Sequence, residues 1–73
     1  MISYKPFWKT LKRKKISTYS LIKDYGFSKG LIDNLKHDRS LTTYSINVIL
    51  NKLNINIDEF LIYTPDKKIK EKV

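Results

Sequence analysis

Lys29, Asp33, Lys36 and His37 lie at spacings of four, three and one residue in the stretch YGFSKGLIDNLKHDR, Tyr25 to Arg39. On a helix such spacing gathers side chains on one side, with Asn34 at its edge. These groups are ammonium donors, a carboxylate acceptor, an amide with both functions and an imidazole. Theirs is the chemistry of charge and hydrogen bonding, not of bond cleavage. The rest of the chain adds nothing catalytic: it has no Cys and a single His. Metal-ligand clusters and phosphate-cradling glycine loops are missing, and the carboxylates scatter over separate segments. The expectation is a non-enzyme, with no cofactor, metal or small-molecule substrate.

Charge points to the partner. The chain of 73 residues carries a net charge of +8. Residues 1–39 hold ten Lys/Arg against Asp24, Asp33 and Asp38, a net of +7, whereas residues 40–66 net −2 and residues 67–73 net +3. The first half is therefore the basic half, and a polyanion is its natural partner. Excess Lys can also serve solubility alone. Lys outnumbers Arg and Ala is absent, the composition of an AT-rich genome.

The length fits one domain. A chain of this size buries roughly 60% of its unfolded surface. Lacking Cys, it must rely on packing, alone or with a partner chain. No apolar run approaches the ~20 residues of a membrane-spanning helix, and no secretory leader is expected. The cytoplasm is the expected location.

The elements that position the Tyr25–Arg39 stretch read as helices. Tyr4, Trp8 and Leu11, with Phe7 beside them, predict a first helix with Pro6 in its first turn. The Lys12–Lys15 run suits the negative end of that helix dipole. Ser17 is a candidate cap for a second helix carrying Tyr19, Leu21, Ile22 and Tyr25, ended by Gly26. Ser28 caps a third, with Phe27 and Ile32 at staple spacing and Leu31, Ile32 and Leu35 as its buried stripe. Thr42 or Thr43 starts a fourth, striped by Ile46, Ile49, Leu50 and Leu53. Asn56 and Glu59 form a capping-box pair for a short fifth helix that runs on through Leu61 and Ile62. Thr64-Pro65 stops it.

The spacing of Leu21, Gly26, Ile32 and Leu35 resembles that of the Xre family, the Cro and lambda-repressor-like helix-turn-helix domains. The resemblance covers roughly residues 4–64. It implies an all-α, compact five-helix bundle over residues 1–64, followed by a charged, flexible tail, 65–73. It also implies a third helix placed in the major groove of double-stranded DNA, usually by a dimer. The function implied is sequence-specific DNA binding by a transcriptional regulator, a repressor of bacterial, phage or mobile-element origin. Ile22 departs from the family pattern, which has Ala after the residue matching Leu21. A β-branched side chain there predicts a wider approach of the two helices.

Carried over by position, the family's base-contacting residues are Ser28, Lys29, Gly30, Asp33, Asn34 and His37. Lys29 can donate to guanine O6 and N7, Asn34 can pair with adenine, and Asp33 can accept from cytosine N4. Phosphate contacts fall to Thr18, Tyr19, Lys36, Arg39 and Thr43, through hydroxyls and charge. Phe60, Leu61, Ile62 and Tyr63 exceed what one short helix buries on one side, so some of them should face a second copy in a homodimer. A protein-interaction module on the same fold (an antirepressor, an antitoxin or an inhibitor of a host protein) is the alternative. Asp33 and Ile22 are the residues that favour it. Sequence-tolerant binding of nucleic acid by the basic face is a third reading.

Overall fold

A computed structural model describes residues 1–66; residues 67–73 of the expected flexible tail lie outside the described residues. Four α-helices carry the fold: α1 (Lys5–Lys14), α2 (Thr18–Lys23), α3 (Lys29–Lys36) and α4 (Thr43–Leu53). Each of the last three starts at a hydroxyl. Ser17, Ser28 and Thr42 accept the backbone N–H of Ser20, Leu31 and Ser45, each at 3.1 Å. Each bond satisfies an amide that the helix geometry leaves without a partner.

The helices stop at left-handed residues. After α1, Lys15 has φ 58°, and Ile16 N–H donates to the Leu11 carbonyl at 2.9 Å. Asp38 (φ 52°) and Asn54 (φ 53°) repeat this after α3 and α4, where Arg39 and Ile55 donate to Asn34 and Leu50. None of the three is glycine, so each closure must offset the cost of a left-handed side-chain-bearing residue. Gly26 is used where the chain turns from α2 to α3, at φ 74°. The second helix ends at Lys23, earlier than the Tyr25 expected from its stripe. Phe27 N–H closes the turn on the Leu21 carbonyl at 2.9 Å, and Lys52 Nζ donates to the Tyr25 carbonyl at 2.6 Å.

The stripes converge on one core. Phe7, Leu21, Leu35, Ile49 and Phe60 are fully enclosed, and Tyr4, Leu11, Phe27, Ile32, Leu53 and Ile55 complete it. Phe60 meets the Phe7 ring edge-on at 5.4 Å and lies 5.3 Å from Tyr4, distances at which aromatic pairs attract beyond simple burial. Phe60 therefore belongs to the core and is not available to a partner chain, contrary to the expectation for residues 60–63.

The fifth helix does not form. Residues Ile57–Glu59 make a single 3-10 turn, and the chain leaves it as β2 (Ile62–Tyr63), antiparallel to β1 (Ile2–Ser3). Ile2 faces Tyr63 and Ser3 faces Ile62 in the register. The cap is present, since the Glu59 carboxylate accepts Asn56 N–H at 2.9 Å. What stops the helix lies further away in sequence. The buried Thr10 hydroxyl donates to the Glu59 carbonyl at 2.8 Å and ties the turn to α1, while pairing with β1 draws Ile62 and Tyr63 into extended backbone. Ile62 and Tyr63 also favour extended backbone. The fold is thus mostly helical, with four helices and a short β-ribbon.

Thr10→Val removes the donor and leaves that carbonyl unpaired, which should cost about 1–3 kcal/mol. Phe60→Leu, a nearer match in volume, should cost about 1 kcal/mol. Urea denaturation measures both; an unchanged midpoint for Thr10→Val would separate the ribbon from α1.

Candidate nucleic-acid interface

The third helix shows two chemically distinct sides. Ile32 and Leu35 are buried and Leu31 is half-buried against the core. Ser28, Lys29, Gly30, Asp33, Lys36 and His37 are exposed, and Asn34 is half-buried at the margin. Phe27 and Ile32, the staple pair, are each 4% exposed, which fixes the angle at which the chain enters the helix.

The expected site residues fall into two groups. Thr18, Lys29, Asp33 and Lys36 line a cleft of about 240 Å³ between α2 and α3, floored by Ile22 and Ile32. Ile22 is half-buried there and contributes apolar wall. The second group is a cluster at the end of α3. Arg39 donates through one nitrogen to Asp33 Oδ2 at 2.5 Å and approaches Asn34 Oδ1 at 3.4 Å. His37 Nδ1 lies 2.9 Å from the Asp33 carbonyl oxygen and 3.3 Å from Asp33 Oδ1. Tyr19, Ser28, Gly30 and Thr43 belong to neither group; all four are exposed, at the starts of α2, α3 and α4. Lys23 sits over the Tyr19 ring at 5.6 Å.

Electrostatics follow from this pairing. The Arg39 hydrogen bond, with Arg39, His37 and Lys36 charge beside it, holds the Asp33 carboxyl below its ordinary value of 3.8. Glu59 is likewise held below its ordinary 4.5, first by the Asn56 N–H and then by Arg13. Exposed pairs of this kind contribute little to stability. Their larger effect is to direct charge, since Asp33 is paired with Arg39, with Lys36 nearby, on the face where it would repel a phosphate.

Two supports of this surface have no counterpart in the sequence pattern. The Tyr4 hydroxyl donates to the Arg39 carbonyl at 2.7 Å, and Asp38 Oδ1 accepts the Tyr4 N–H at 2.8 Å. Lys52 reaches the Gly26 turn and lies 5.8 Å from the Phe27 ring. Both join residues far apart in the chain. The only local sign was the pairing of hydrogen-bonding side chains with a loop that must turn.

Both depressed carboxyls stabilise the fold fully above their ordinary values of 3.8 and 4.5, and that contribution is lost as pH falls through the lower folded values. The urea midpoint should therefore fall at acid pH, and by less in Asp33→Asn with Glu59→Gln. An identical acid dependence in that double variant would contradict the assignment.

Among the described residues, no group of His, Cys, Asp and Glu could hold a metal ion, and no helix is long and apolar enough to cross a membrane. Comparison with curated proteins and with solved structures returned no match. A family model does match: the Cro/C1-type HTH DNA-binding domain, over residues 7–66. That span runs from within α1 to the last described residue and includes the α2–turn–α3 unit. With most of the chain matched, and with α3 offering its polar side outward over an apolar underside, this protein belongs to the Cro/C1-type helix-turn-helix family of DNA-binding domains.

Proposed function

We propose that the domain binds a specific DNA sequence and regulates transcription, as a repressor that occludes a promoter in a bacterium, phage or mobile element. The observation that carries this reading is the outer side of α3. Its apolar residues are accounted for by packing, yet hydrogen-bonding side chains crowd the opposite face. On this reading α3 enters the major groove. Lys29 donates to guanine and Asn34 pairs with adenine, while Ser28 and His37 flank them and Gly30 admits close approach. Thr18, Tyr19, Lys36 and Thr43 bind phosphates and set the register. The cleft lined by Thr18, Lys29, Lys36 and Asp33 supports this, because a hydroxyl and two ammonium groups share one opening there and its single carboxylate is paired with Arg39.

A homodimer is part of the proposal. Leu61 is half-buried, whereas Ile62 and Tyr63 are 52% and 61% exposed beside Ile2 at 48%. These residues lie on the β-ribbon, which leaves them uncovered in the single chain. A second copy covering them would present two α3 helices to two half-sites.

With about five phosphate contacts, log affinity should fall against log salt with a slope near −4 to −5. Lys29→Glu with Lys36→Glu should abolish binding while the far-ultraviolet circular dichroism stays unchanged. Binding that ignores salt, or that survives the charge reversal, would remove the DNA reading. Sedimentation should show a dimer with DNA bound, and Tyr63→Asp should weaken it. A monomer at every concentration, with and without DNA, would rule the dimer out.

A further inference from the structure

Asp33 is an unexpected residue on a surface meant for a polyanion, and its surroundings say what it does. Its carboxylate is engaged inside the chain through Oδ2, which accepts from Arg39, while His37 Nδ1 makes its closer contact with the Asp33 backbone carbonyl, at 2.9 Å. The nearest cation to this carboxylate is thus one supplied by the chain itself. Arg39 is held at three points. Its N–H donates to the Asn34 carbonyl at 2.9 Å, its carbonyl accepts the Tyr4 hydroxyl at 2.7 Å, and its guanidinium lies on Asp33 and Asn34. Although Arg39 follows the helix by three residues, the clamp brings its charge back onto the last turns of α3, beside Asp33 and Asn34.

The remaining donors matter most. A guanidinium has five N–H donors in a planar fork. The bonds to Asp33 and Asn34 both use one terminal nitrogen, and the Arg39 side chain remains 55% exposed. A planar fork, oriented in advance and still open, fits the O6 and N7 edge of guanine, and orienting it before binding reduces the freedom lost on contact. A phosphate contact needs no such orientation, since a mobile charge would suffice.

We propose that Asp33 is a positioning residue, which holds Arg39 so that this arginine, expected from sequence to touch phosphate, reads a guanine beside the bases met by α3. The inference rests on the DNA-binding reading above. It also reverses the simplest expectation for a surface acid. If Asp33 only repels DNA, removing it tightens binding to every sequence. If it aims Arg39, removing it weakens binding to the preferred sequence alone.

The test uses the full chain and two fluorescent duplexes, one enriched from random DNA by the wild type and one of the same composition scrambled. Affinities are measured by anisotropy for Asp33→Ala, Asp33→Asn, Arg39→Lys, Arg39→Ala and the Asp33→Ala with Arg39→Ala pair, with thermal melts confirming a folded state. Asp33→Ala and Asp33→Asn should weaken binding to the enriched duplex roughly 5- to 150-fold, the range for one bidentate base contact. Binding to the scrambled duplex should hold or tighten. Arg39→Lys, which keeps the charge and loses the fork, should reproduce the loss, and the double variant should be no worse than Arg39→Ala alone. Equal tightening on both duplexes by Asp33→Ala overturns the proposal. So does a loss with Asp33→Ala that Arg39→Lys does not share, which would make Asp33 itself the base reader. Should the wild type enrich no duplex and bind neither one, the DNA reading falls and this inference with it.

Discussion

Tyr4 joins the hydrophobic core to the loop that follows α3, and the arrangement of the outer surface depends on that junction. Its ring packs against Phe60 inside the core, its N–H is taken by Asp38, and its hydroxyl holds the Arg39 carbonyl. Burial, and then the Asp38 charge, push its phenol above the ordinary value of 10.0, so it remains a donor throughout the neutral range. A buried tyrosine hydroxyl needs a polar partner, and here that partner is the backbone that carries Arg39. Asp38 stands in the left-handed region at φ 52°, a conformation its carboxylate helps to stabilise by accepting the Tyr4 N–H. Core packing, loop geometry and the placement of a surface arginine are thus one connected arrangement.

Opposite sides of α3 have separate tasks. The side formed by Ile32 and Leu35 is enclosed, so its residues are explained by burial alone. The other side is polar, and its one acid is paired with Arg39. Paired in this way, Asp33 no longer argues for a protein-binding role as an unpartnered acid would. Ile22 lies half-buried in the wall of the α2–α3 cleft, where a small residue would leave more open space.

Much of this was legible in the sequence, because the relevant signals are local. Ser17, Ser28 and Thr42 cap the helices as their positions suggest, and Leu21, Ile32, Leu35, Ile49 and Leu53 are buried as their spacing requires. The end of the chain was misread where a distant residue decides the outcome. Asn56 and Glu59 do make the expected local contact, but Thr10, which is 49 positions from Glu59, ties the turn to α1, and β1 pairs with the residues that follow. The Arg39 clamp was hidden for a similar reason. Helical periodicity links residues three and four apart, whereas Arg39 reaches Asp33 from beyond the helix end through a left-handed residue. The roles of Asp33, His37 and Arg39 as separate contacts came from position alone; their grouping required coordinates.

The central claim is that the outer side of α3 distinguishes bases, and selection of bound duplexes from random DNA tests it most directly. Wild-type protein should enrich a short motif, and Lys29→Ala with Asn34→Ala should lose the positions those two residues read while still retaining DNA through its phosphate contacts. Enrichment of the same motif by the wild type and by that variant, or of none by the wild type, would contradict the account.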